Sequence, residues 1–164
     1  MIHEQIYWRT TDDTGAEMPW YTRPVCAWLD TLDFKGKNVW EYGGGVSTKW
    51  YRSKGAIVDG VDSDAHWAEF AELRYTHDSK EYLESIHAFG DFDFICIDGL
   101  WRDECIHHAL DHLKEGGHII IDNWKDEVEP DWPETEGIIE HFILNLKVYR
   151  QLDHPTWATA IITR

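Results

Sequence analysis

Positive charge is scarce in this chain. Lys and Arg number 15 against 31 Asp and Glu, giving a formal net charge of -16 at pH 7. A field of that sign repels phosphate backbones, so no nucleic-acid partner is expected. It favours cationic or neutral small ligands or a basic protein partner, and it equally serves to keep an aromatic-rich surface in solution. Long apolar runs are missing as well: nothing approaches the roughly 18 residues of a membrane span, so no membrane partner is expected. The stretch Met1–Thr14 is polar and acidic, without the basic start and apolar segment of a signal peptide. Cysteines are few and odd in number. Cys26, Cys96 and Cys105 fall inside apolar periodic segments, with no CxxC or Cys/His zinc spacing. Buried free thiols in a reducing compartment fit that pattern, and the expected location is cytoplasmic.

Internal repeats, low-complexity tracts and breaks in composition are also absent. Residues 1–18 read as a loosely structured N-terminal arm and residues 19–164 as one domain, with 43% apolar residues to build a core. A helix is expected to begin near Thr22, with Pro24 in its first turn and Val25, Trp28, Leu29 and Leu32 on one face, and to end at Gly36 and Lys37. Short apolar runs then alternate with amphipathic windows. The strand candidates are Val39–Tyr42, Ala56–Val61, a weak Leu73–Thr76, Phe92–Ile97 and His118–Ile121. The helical windows between them are Ser47–Ser53, Asp64–Glu72, Ser79–Ala88 and Arg102–Lys114. This alternation predicts an α/β fold with a mostly parallel sheet covered on both faces, a Rossmann-like three-layer α/β/α arrangement. A last helix over Glu134–Leu146 precedes strands Val148–Leu152 and Trp157–Thr163. His154 and Pro155 supply a turn that makes these two a C-terminal antiparallel hairpin. Most of the ten tryptophans are expected in the core or a pocket wall.

The strongest local signal is Val39-Trp40-Glu41-Tyr42-Gly43-Gly44-Gly45-Val46-Ser47-Thr48. An apolar strand runs into three glycines and opens a helix whose N-terminal amides suit a carboxylate or phosphate. Asp62 ends the second strand, where a carboxylate accepts both hydroxyls of a ribose. Ser63 follows it, and Asp64 reads as a helix N-cap. Asp78, before Ser79, either accepts an adenine amine or caps the helix starting there. Asp122-Asn123 either meets polar atoms of a substrate or forms a strand-end turn. His77 reads as pocket lining or surface, and His107 and His108 carry no assigned role. The acidic run Trp124–Gly137, with Pro130 and Pro133, has the length of a functional lid or of a solvated connection.

The order Glu41-x-Gly43-x-Gly45, Asp62, Asp78 and a fourth strand ending in Asp98 resembles the motif series of the class I S-adenosylmethionine-dependent methyltransferases. Pro19-Trp20-Tyr21-Thr22 and Asp62-Ser63-Asp64-x-x-Trp67 are similar to a small bacterial and viral branch. The terminal hairpin also matches the methyltransferase variant of the fold. The resemblance implies that Gly43, Gly44 and Gly45, with Ser47 and Thr48, hold the methionine carboxylate. Asp62 and Ser63 would then take the ribose, Asp78 and Ser79 the adenine, and Glu41 the methionine amine or the loop itself. Asp98 would lie near the transferred methyl.

Asp93–Gly99, followed by Lys114–Asn123, is similar to the cation-dependent O-methyltransferases, which implies a magnesium-type ion on Asp98, Asp122 and Asn123. The chain departs from that pattern at the family's catalytic lysine, which is Trp101 here with Arg102 beside it. Arginine stays protonated and serves to bind an anion rather than as a base. The catalytic candidates are Asp98, Arg102, Asp122 and Asn123. The expected reaction is methyl transfer to an oxygen or nitrogen of a small acceptor. Open alternatives are another S-adenosylmethionine- or nucleotide-using enzyme, a nicotinamide enzyme (although Thr48 replaces the third glycine of its fingerprint), and a non-catalytic acidic binding module. A short domain without a cap leaves a homodimer open.

Overall fold

A computed structural model describes residues 11–125, 131–142, 144–151 and 153–164. Seven strands form one sheet: β1 (Asn38–Tyr42), β2 (Ile57–Asp62), β3 (Arg74–Tyr75), β4 (Phe92–Ile97), β5 (Leu113–Ile121), β6 (Asn145–Gln151) and β7 (His154–Thr163). Their spatial order is β3-β2-β1-β4-β5-β7-β6. Strands β1 to β5 pair in parallel, and β7 runs antiparallel to both β5 and β6. Helices α1 (Arg23–Leu29), α2 (Val46–Ser53), α3 (Ala65–Ala71), α4 (Ser79–Glu84), α5 (Arg102–Asp111) and α6 (Pro133–Phe142) cover it.

Both faces of the central strands are buried because successive side chains point to opposite sides. Trp40, Tyr42, Ile95, Ile97, Ile119 and Ile121 join one core with residues of α4, α5 and α6. Val39, Phe94, Cys96 and Ile120 join the other with residues of α1 and α2. The expected Rossmann-like α/β/α architecture with a C-terminal hairpin is therefore the one observed. All three cysteines are buried thiols, none of them in a disulfide among the described residues. Among the described residues no helix is long and apolar enough to cross a membrane.

Several boundaries differ from expectation. Helix α1 ends at Leu29, well before Gly36, which instead turns the chain into β1 at φ 71°. Helix α5 stops at Asp111 instead of reaching Lys114, because Leu113 already pairs with Phe92 of β4. Helix α6 ends at Phe142, and Asn145 and Leu146 belong to β6, paired with Thr163 and Ile162. Pairing along β7 outweighs the helical spacing that runs to Leu146. The hairpin turn falls at Asp153, and His154 is already in β7; Leu152 is outside the described residues. Residues 11–18 are not a loose arm. Thr11 and Glu17 bridge, Met18 is buried, and buried Asp12 accepts from Thr14 N–H at 2.8 Å and Trp50 Nε1 at 3.1 Å. Residues 1–10 of the arm, and 126–130 of the expected lid, lie outside the described residues.

Candidate active site

The connection from β1 goes outward to β2 and β3, and the chain then returns to place β4 on the other side of β1. A crevice opens at the carboxyl ends of strands where the order reverses in this way. Register puts the ends of β1 and β4 side by side, with Tyr42 opposite Ile97. Gly43 and Asp98 are therefore the first residues past the sheet on each. Here a cleft of about 230 Å³ is lined by Trp20, Gly43, Gly44, Gly45, Val46, Ser47, Asp62, Trp67, Asp98 and Gly99.

The glycine turn is pinned from behind. Gly43 N–H donates to Val61 O at 2.8 Å, Gly44 N–H to Asp62 Oδ2 at 2.9 Å, and Gly45 N–H to Thr48 Oγ1 at 3.0 Å. The Thr48 hydroxyl in turn donates to Glu41 Oε2. The three glycine amides are thus committed within the protein. Donors for an anion remain in the first turn of α2, at Val46 and Ser47, where the helix dipole also favours negative charge. Gly43 is required by geometry: at φ 84° a side chain is strained, and a Cβ would stand 2.5 Å from Gly99 N.

Glu41 is fully buried and stands behind the turn, not in the cleft; among the described residues its Oε1 has no hydrogen-bond partner. Burial pushes its carboxyl up to about 7, against the opposing hydroxyls of Ser47 and Thr48. Asp62 accepts from Gly44 N–H and, through Oδ1, from Asp64 N–H at 2.8 Å, while lining the cleft. Burial raises it more than these amides lower it. Asp64 caps α3 through His66 and Trp67 N–H, as expected. Asp78 caps α4 by accepting Glu81 N–H at 2.9 Å, and neither Asp78, Ser79 nor Ser63 lines the cleft. His77 Nδ1 donates to Ser63 O at 3.2 Å, joining the two loops.

The four catalytic candidates are only partly brought together. Asp98 lines the cleft, whereas Arg102, Asp122 and Asn123 do not. Arg102 opens α5 and turns back, its Nε donating to Gly99 O at 3.0 Å and Nη2 to Asp98 O at 3.3 Å. Nη2 also lies 3.6 Å from Asp98 Oδ1. Asp122 is 4% exposed. Its Oδ1 accepts from Thr159 Oγ1 at 2.6 Å, and both its oxygens accept from Trp157 Nε1 at 3.2 Å. Asn123 takes the left-handed φ of 53°, consistent with a strand-end turn. Burial raises Asp98 and Asp122, the charge of Asp98 adds to the rise of Asp122, and Arg102 opposes both.

This donor set does not suit a magnesium-type ion. One ligand candidate pairs with a guanidinium, a second is held by Trp157 and Thr159 donors, and of the three only Asp98 lines the cleft. Among the described residues no group of His, Cys, Asp or Glu side chains is disposed to hold a metal.

The cleft also contains residues that sequence reasoning left without a role. Trp20 and Trp67 meet edge to face, with ring centroids 5.9 Å apart, and wall the cleft beside Gly45. Both stood in the quoted motifs, Pro19-Trp20-Tyr21-Thr22 and Asp62-Ser63-Asp64-x-x-Trp67, and that was the available signal. Val46 and Gly99 likewise stood in Val39–Thr48 and Asp93–Gly99, without a role assigned to either.

No family model and no curated protein matches the chain. Solved structures do. An O-methyltransferase from Bacillus cereus in complex with SAH superposes with TM-score 0.55 at 20% identity, over 78% of this chain and 74% of that one. The magnesium protoporphyrin IX methyltransferase from Synechocystis PCC 6803 with bound SAM gives TM-score 0.63 at 12% identity, over 86% and 76%. A 16S rRNA methyltransferase of T. thermophilus with AdoMet and guanosine gives 0.60 at 16%, over 85% of this chain and 40% of that one. The fold of this protein is that of the class I S-adenosylmethionine-dependent methyltransferases.

Proposed function

We propose that the protein transfers a methyl group from S-adenosylmethionine to an oxygen or nitrogen of a small acceptor. The observation that carries this reading is the cleft in which the glycine turn, the first turn of α2 and the Asp62 carboxylate face one space at the switch point of the sheet. The solved structures of the same fold that hold SAH or SAM support it.

When bound, S-adenosylmethionine supplies an electrophilic methyl on a sulfonium. The acceptor's lone pair attacks that carbon in line, the carbon–sulfur bond breaks, sulfur keeps the pair, and the acceptor sheds its proton. The protein's task is alignment and exclusion of water. Val46 and Ser47 amides take the methionine carboxylate, with Gly43 to Gly45 shaping the approach and Thr48 and Glu41 fixing the turn from behind. Asp62, seconded by Ser63, takes the ribose. The Asp78–Ser79 corner is left for the adenine amine, and Trp20 and Trp67 close the side. Asp98 faces the reacting centre and receives the acceptor or its proton. The charge of -16 favours a small acceptor over a nucleic-acid one.

Calorimetric titration with S-adenosylmethionine, S-adenosylhomocysteine and NAD tests this reading. Binding of the first two with Kd of order micromolar, lost at least tenfold in Asp62→Ala and absent for NAD, is the expected result. A folded protein that binds neither sulfur nucleoside sinks the reading.

A further inference from the structure

Building on the methyltransferase reading, we infer that Arg102 occupies the electrostatic place of the divalent cation used by the O-methyltransferases that the chain resembles, so that the transfer site works without a metal. Three separate features of the site converge on this.

The first is where the positive charge sits. Arg102 is held at the mouth of β4 by two carbonyls, Gly99 O at 3.0 Å and Asp98 O at 3.3 Å, with Nη2 3.6 Å from Asp98 Oδ1. A dication on that same carboxylate oxygen would have to share it with a fixed monocation, and like charges at such range repel. Arginine cannot relieve the conflict by losing its proton.

The second is the state of Asp122. Its oxygens already accept from two donors in β7, the Trp157 N–H shared between both oxygens and the Thr159 hydroxyl on Oδ1, and the residue is 4% exposed. It faces the strand, and the cleft wall does not include it. The third is what Arg102 leaves unused. Nε and Nη2 are engaged, while Nη1 donates to none of the described residues and the side chain keeps 17% of its exposure. Two N–H groups on a cation fixed beside Asp98 are therefore uncommitted; Arg102 stands outside the cleft wall, so the anion they suit is an oxygen of an acceptor that extends past Asp98.

The experiment is titration with Mn2+ followed by electron paramagnetic resonance, with and without S-adenosylhomocysteine. The quantity read is Asp98-dependent binding: the difference between a protein and the same protein carrying Asp98→Asn. This subtracts Mn2+ held elsewhere on the acidic surface. The wild type is expected to show no such binding. Arg102→Met combined with Thr159→Val, which removes the guanidinium and releases an oxygen of Asp122, is expected to gain one Mn2+ per chain. One Mn2+ bound by the wild type and released by Asp98→Asn would overturn the inference. A double variant that keeps its cooperative melt yet gains no Mn2+ would overturn the assignment of Arg102 to the cation's place. If Arg102→Met does not fold, Arg102→Gln takes its place. The signal needs no turnover, so failure to bind S-adenosylhomocysteine would count against the proposed function and leave the Mn2+ result standing.

Discussion

The hydroxyl of Thr159 donates to Asp122 Oδ1 at 2.6 Å and accepts the N–H of Thr22 at 3.0 Å. One buried side chain thus ties the end of β5 to the start of α1 across β7. Thr22 and Thr159 are 0% exposed, so neither group can turn to water instead. Thr159→Val keeps the shape of the side chain and leaves the Thr22 amide and part of Asp122 unpaired. The expected loss is about 1–3 kcal/mol in urea unfolding, as for a buried donor without an acceptor. Thr159→Ser should recover most of it. Equal stability for valine and serine would show that the bond contributes nothing.

Gly43 and Gly36 both take a left-handed φ, 84° and 71°, but differ in what surrounds them. A Cβ at Gly36 meets nothing within 4 Å, while one at Gly43 meets Gly99 N at 2.5 Å and Asp98 C at 2.8 Å. Gly36→Ala should therefore cost only the backbone preference, about 1–2 kcal/mol. Gly43→Ala adds overpacking of roughly 1–3 kcal/mol and pushes the β4 loop away from the cleft. Paired urea titrations and calorimetry with S-adenosylhomocysteine are the check. Gly43→Ala should lose binding, and Gly36→Ala should not.

The sheet was legible because its signals are local and repeated: strands such as Phe92–Ile97 are apolar on both faces, and Asp64 caps its helix by a side chain two residues from its target. The glycine turn and Asp62 were legible for the same reason. What the sequence concealed depends on partners distant in the chain. Leu146 fits a helical face, yet it pairs with Ile162. Asp122 resembles a metal ligand until Trp157 and Thr159 are seen to hold it from β7. The commitment of the glycine amides to Val61 and Asp62 likewise requires knowing that β2 lies beside β1.

His108, at one end of a chain of three imidazoles, gives an acid side to the stability profile. His112 Nδ1 lies 3.3 Å from Gly90 O, His112 Nε2 lies 2.9 Å from His87 Nδ1, and His87 Nε2 lies 2.8 Å from His108 Nδ1. A carbonyl only accepts, so the protons can be placed in one direction: His108 donates to His87, His87 to His112, and His112 to Gly90. Burial, and then the nearby charge of His87, lowers the pKa of His108. The unfolded chain therefore binds the proton more readily, and stability rises with pH over this range. The contribution is complete above the ordinary histidine value of 6.5 and fades as pH falls below it. In thermal melts between pH 7 and 5 the wild type should lose Tm relative to His108→Gln as pH falls, because the buried carboxylates are common to both proteins. An unchanged slope would remove His108 from the explanation.

Glu41 acts in the opposite sense. Burial lifts its carboxyl from 4.5 to about 7, so the folded protein holds a proton that the unfolded chain has already released. With more protons bound in the native state, stability falls as pH rises through that interval. The contribution is whole below 4.5 and lost once pH passes about 7. Asp98 and Asp122, also raised by burial, act with the same sign. A shift of that size corresponds to stability on the order of 3 kcal/mol. Glu41→Gln has nothing to ionise and its amide can still meet the Thr48 hydroxyl. Its unfolding free energy should therefore decline less than that of the wild type between pH 5 and pH 8, the range set by these shifts. Comparing the two slopes cancels the histidines, which both proteins share. Parallel slopes would mean that Glu41 releases its proton at the same pH folded and unfolded, and that burial does not hold it neutral.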